Sequence, residues 1–131
     1  MSLDVPTHAL AAAERGDLDD AEFVVIVRDS LPYAWHAIAA AADDRWARPA
    51  APYGMHDEPP PSDRERGQLL RALASSAIRG ALERHFGVVL AFQNCHKVAA
   101  FVPADVDGPT WHAFISPRSQ VLNQSPEMRD C

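Results

Sequence analysis

The sequence predicts a single α+β domain of four to six helices with one short antiparallel sheet built on a hairpin. Three observations carry that expectation. Two five-residue runs of strand-like composition, 88–92 and 98–102, flank a polar insert. A long apolar stripe at helical spacing runs from about 63 to 86 just before them. The whole chain is 131 residues with a 47% hydrophobic fraction, the size of one ordinary core.

The first helix signal begins at Thr7, a capping residue type, and ends at Gly16, which can take the left-handed stop. Asp17 starts a second helix. Asp17, Asp19, Asp20 and Glu22 crowd its positive dipole end, and Phe23, Ile26 and Val27 follow at helical spacing. A charged helix start explains this acidic group better than a metal site, because no second acidic cluster with a matching histidine accompanies it. Pro32 interrupts and then opens a third helix, in which Trp35, Ile38, Ala39, Ala42 and Trp46 form a stripe suited to a core or a partner. His36 lies beside that stripe as an ordinary helix residue.

Residues 48–62 read as a proline-rich loop. Five prolines fall in this window, and proline removes backbone donors, so neither a helix nor an inner strand is expected. Its centre, Tyr53-Gly54-Met55-His56, combines apolar contacts with a titratable ring, the composition of a binding lid; a plain surface excursion is the simpler reading. Ser62-Asp63-Arg64-Glu65 then fits a capping box. The helix it opens is expected to reach Phe86, with Leu69, Leu70, Leu73, Ala77, Ile78 and Leu82 on its buried face and Gly87 as its stop. After the hairpin, Thr110 to Ile115 suits a third strand or a short helix equally, and Ser116-Pro117 and Ser125-Pro126 look like starts of short terminal helices.

Charge excludes one broad class of partner. Residues 1–58 hold 11 acidic and 4 basic side chains and residues 59–131 hold 7 and 8, so the halves carry −7 and +1. A chain of net charge −6 repels a phosphate backbone on average. Arg64, Arg66, Arg71, Arg79 and Arg84 scatter around one helix between acidic neighbours, so nucleic acid is not the expected partner. No apolar run approaches the roughly 20 residues of a membrane span. The N-terminus lacks the basic-then-apolar pattern of a secretory signal, and a cytoplasmic protein with reduced Cys95 and Cys131 is expected.

The polar insert Gln93-Asn94-Cys95-His96 is where chemistry concentrates. A thiol nucleophile at Cys95 would need an imidazolium to lower its pKa and a donor to hold the oxyanion. His96 is adjacent in sequence, yet neighbours along a strand point to opposite faces, which makes His112 or His85 the better partner. Against this, a lone cysteine is usually a small buried hydrophobe, and Asn and His are common turn residues. Zinc would require closely paired ligands, and Cys95, His96, His112 and Cys131 have the wrong spacing. No metal or cofactor is expected.

These readings converge on a non-enzymatic binding or regulatory domain that self-associates, with an unidentified protein or small-molecule partner. Its expected binding residues are Asn94, Cys95 and His96 at the turn, with Tyr53 and His56 of the loop close by. The competing expectation is a small cysteine-dependent enzyme using Cys95 with His96 or His112.

Overall fold

The computed structural model describes residues 2–93 and 96–122. Their order is α1 (Thr7–Glu14), α2 (Asp20–Ser30), α3 (Pro32–Ala47), β1 (Gly54–His56), α4 (Asp63–Ala74), α5 (Ser76–Phe86), β2 (Val89–Gln93), β3 (Lys97–Phe101), α6 (Pro109–Phe114) and α7 (Pro117–Leu122). The α+β expectation holds, with seven α-helices among the described residues where four to six were expected. The predicted hairpin is present one residue out of frame at the start of each strand, and pairs Val89 with Phe101 through Gln93 with Lys97.

The third strand comes from an unexpected place. Residues 110–115, weighed as a strand, form the helix α6, opened by Pro109 at its first turn. Gly54–His56, inside the proline-rich segment, pairs with β3 instead, giving the order β1-β3-β2. Proline is compatible with this because Pro52 and Pro59 flank the strand and β1 is an edge. What brings β1 in is α3. Ala34, Ala37 and Ala41 are fully buried on it, so little side-chain bulk separates helix and strand. At Gly54 the contact is so close that an added Cβ would overlap Ala41 O and Arg45 N and lie 2.6 Å from Arg45 Cα.

The long helix predicted for 63–86 is two helices. Ser75 takes an extended conformation between them and its hydroxyl accepts from Ile78 N–H at 3.3 Å, so it caps α5 while ending α4. The consequence is a shifted face: Leu69, Leu73, Ile78 and Leu82 are buried as expected, whereas Leu70 is 38% exposed and Ala77 is exposed. On α3 the true core side is Ala34, Ala37, Ile38, Ala41, Ala42 and Arg45, and Trp46 of the expected stripe is 56% exposed. Smaller corrections concern helix starts. Pro6 rather than Thr7 precedes α1, and Asp19 rather than Asp17 caps α2 by accepting from Glu22 N–H at 2.8 Å. Ser62 does stand at the cap of α4, but its hydroxyl donates to the Glu65 carboxylate and accepts from no backbone N–H. Gly87 ends α5 in the left-handed region at φ 69°, as expected. Ser116 caps α7, accepting from Ser119 N–H at 3.1 Å, while Ser125-Pro126 lies outside the described residues.

The sheet separates two packed layers. Leu90, Val98 and Ala100 face the main core with Val27, Ile38, Leu69, Leu73, Ile78 and Leu82. Ala91, Ala99 and Phe101 face the other way, against Phe114 of α6, with Tyr53 and Trp111 packed alongside. Both edges of this small sheet are held by carboxylates from helices. Asp44 of α3 accepts from Met55 N–H at 2.9 Å on β1, and Glu83 of α5 accepts from Leu90 N–H at 2.7 Å on β2.

Candidate functional site

Strand alternation decides which of the expected binding residues can meet. Gly54 and His56 register with Ala100 and Val98, which face the helical core, so Tyr53 and Met55 belong to the opposite face. The same rule places Gln93 and Lys97, which register with each other, on the α6 face beside Tyr53. The expected site therefore divides across the sheet. His56 and His96 lie on one side, and Tyr53 on the other. Asn94 and Cys95, together with Cys131, lie outside the described residues.

On the helical side, His96 is buried with its Nε2 3.4 Å from Asp57 Oδ1. His56 is buried too, with its ring 6.0 Å from that of His36 in an edge-on arrangement and its Nδ1 without a hydrogen-bond partner. Burial lowers the pKa of both rings, since the charged form loses water there; nearby Glu58 and Asp57 pull the other way. Both rings sit where the end of β1 meets β3, and burial favours their uncharged form. His112 stands apart on α6, exposed, with Asp107 3.7 Å away. Among the described residues no group of His, Cys, Asp and Glu has the arrangement of a metal site.

On the α6 side there is a cleft of about 470 Å³ beside the β2–β3 turn. Tyr53, Gln93, Lys97, Thr110, Phe114 and Arg118 are among its lining residues. Tyr53 and Phe114 supply its aromatic wall, with ring centroids 5.2 Å apart. Gln93 is 2% exposed, and its Nε2 donates to Phe114 O and, at 2.8 Å, to Ser119 Oγ, which ties α6 and α7 to the end of β2. Sequence reasoning named Tyr53 and the neighbourhood of Gln93 but missed Lys97, Thr110, Phe114 and Arg118. The signal that could have found Lys97 is its position opposite Gln93 across the hairpin. Arg118 had no such signal, because α7 is brought to the sheet only by tertiary contacts.

The buried cation of α3 has a structural role. Arg45 of α3 donates to Ala51 O at 2.5 Å and Pro49 O at 2.7 Å, fastening the proline-rich segment to the helix end. Asp44 beside it accepts from Arg48 Nε at 2.7 Å and Nη2 at 2.6 Å, and these bonds with that from Met55 lower its pKa to about 2. This framework explains why a segment with so many prolines holds a defined strand and presents Tyr53 to the cleft.

Compared with known proteins, residues 1–131 match the family model KH_NucS_shadow, described as "NucS shadow ORF". The chain belongs to this family. No curated protein and no solved structure matches it.

Proposed function

We propose that this chain is a small non-catalytic binding domain that takes its ligand at the turn end of the sheet and acts as a homodimer. The cleft beside the β2–β3 turn carries this reading. Its volume of about 470 Å³ falls inside the range of about 300–1,000 Å³ usual for small-molecule sites, and it pairs an aromatic wall with a few convergent polar groups. Exposed Val121 and Leu122, adjacent on α7, support self-association. A thiol enzyme has less behind it. His96, the imidazole nearest Cys95 in sequence, is buried against Asp57, and His112 is exposed beside Asp107.

A nucleic-acid role of the KH kind, which the family's name brings into view, depends on a GXXG loop that clamps about four backbone nucleotides. This sequence has no two glycines three residues apart, α4 and α5 are joined by Ser75 alone, and the net charge is −6. These features disfavour the KH mode.

The family's description favours one second reading. It names an open reading frame in the shadow of NucS and no activity. Under that reading the residue choices follow an overlapping frame, and the chain does no work as a protein. Agreement between levels weighs for the binding domain: glycine stands where only glycine fits against α3, a left-handed glycine ends α5, and a carboxylate meets each sheet edge.

The test has two arms. A stop codon placed in this frame and silent in the overlapping one should remove the protein from cell extracts and change a growth or stress phenotype; absence of the protein from unaltered cells would establish the second reading. In the purified chain, fragment screening by amide chemical shifts should perturb Tyr53, Gln93, Lys97 and Thr110 together. Rapid alkylation of Cys95 below about pH 7 would instead favour the thiol enzyme.

A further inference from the structure

The described lining of the cleft is basic where the chain as a whole is acidic. The chain bears −6, yet the cleft holds Lys97 from the start of β3 and Arg118 from α7, and none of the described residues lining it is acidic. Thr110 adds a hydroxyl from the first turn of α6. Tyr53 and Phe114 form an apolar wall, and Tyr53 is further held by Phe101, with ring centroids 5.1 Å apart. Gln93 beneath them is fixed by its bonds to Phe114 O and Ser119 Oγ, so the wall and the α7 residues are set in place relative to each other.

We infer that this cleft binds a small organic oxyanion, a carboxylate or phosphomonoester head on a flat apolar body, with Arg118 and Lys97 taking the head and Tyr53 and Phe114 the body. The inference rests on the binding-domain reading and specifies its ligand class. Arg118 offers a planar fork that meets two oxygens of one head group, and Lys97 adds a compact charge. Two cations suit a single head group, while a polyanion would meet the repulsion of the acidic remainder. The cleft volume of about 470 Å³ lies in the range of small-molecule sites and suits a body of modest size.

The test uses the full chain with three probes of one shape: phenyl phosphate, benzoate and neutral benzyl alcohol, followed by amide chemical shifts. Either anion should shift Tyr53, Gln93, Lys97 and Thr110 and bind at least about tenfold more tightly than the alcohol, since charge-assisted hydrogen bonds exceed neutral ones. The tighter of the two identifies the preferred head group. Arg118→Gln and Lys97→Gln should each weaken the anions by about tenfold and leave the alcohol unchanged, and added salt should act in the same direction. Arg64→Gln, on α4 away from the cleft, is the control for net charge and should have no effect. If the alcohol binds as well as the anions, the ligand class is wrong and the binding domain stands. If no probe perturbs these amides while circular dichroism shows the chain folded, the cleft itself is wrong.

Discussion

Gly54 marks a close crossing, where β1 lies on α3 with no room for a Cβ beside Ala41 O and Arg45 N. The obstruction is backbone and cannot rotate away. Gly54→Ala should therefore destabilise the fold by on the order of 3 kcal/mol, measured by denaturant unfolding. A neutral result would place β1 elsewhere. His56 and His96, near the same strand, give a pH prediction whose sign follows from burial. Both have pKa values lowered from the ordinary 6.5, so the unfolded chain binds more protons than the folded one between the lowered values and 6.5. Their contribution is present above pH 6.5 and is lost as pH falls through that window. Midpoints of urea unfolding should drop as pH falls below about 6.5, and His56→Gln should flatten that slope. Asp44, lowered to about 2 from 3.8, acts in a separate window below about pH 4, again losing stability as pH falls. A histidine slope unchanged in His56→Gln would show that the neutral buried ring is not the cause.

Elements were legible from the sequence in proportion to how local their causes are. The hairpin was readable because its strands carry their own β-branched and aromatic signal, and Gly87 announced the end of α5. The break at Ser75 was hidden, since Leu70, Ala74, Ala77 and Ala81 keep three- and four-residue spacing straight through it and serine alone is a weak stop. The strand β1 was hidden for the opposite reason. Its three residues are surrounded by prolines, and it is fixed by Asp44, Arg45 and the alanine face of α3, none of which is local to it. Gln68 is a similar case: buried on α4, it accepts from Tyr33 N–H at 2.8 Å and so caps α3 from 35 residues away. The candidate site followed the same rule, with Tyr53 named from composition and Arg118 reached only through tertiary packing. Packing between elements also sets a mutational scale. Leu73, 4% exposed at the last turn of α4, faces the core shared with β2 and β3. Leu73→Ala should cost about 2–5 kcal/mol, whereas Leu70→Ala, on the exposed side, should cost less than about 1 kcal/mol. Equal effects in thermal or denaturant unfolding would mean that the face assigned to α4 is wrong.

At the scale of the whole molecule, several large apolar side chains remain outside the two core clusters. Trp46 is 56% exposed at the end of α3, Ile115 lies exposed after α6, and Val121 at 71% and Leu122 at 64% are exposed on α7. Scattered single residues of this kind are common on monomers. A pair on one six-residue helix is different, because α7 has no buried residue of its own and gains little by lying flat on water. Association through α7 would also place the partner next to Arg118 and the cleft, so ligand and assembly should be linked. Sedimentation velocity at micromolar to high micromolar concentration should show a concentration-dependent dimer. Val121→Ser with Leu122→Ser should shift it to monomer without lowering the unfolding midpoint, since neither side chain is in the core. Phenyl phosphate should move the wild-type equilibrium in one direction and leave that of the double variant unchanged. A strictly monomeric wild-type chain at high micromolar concentration would end the homodimer reading, and the cleft would then act in a single copy.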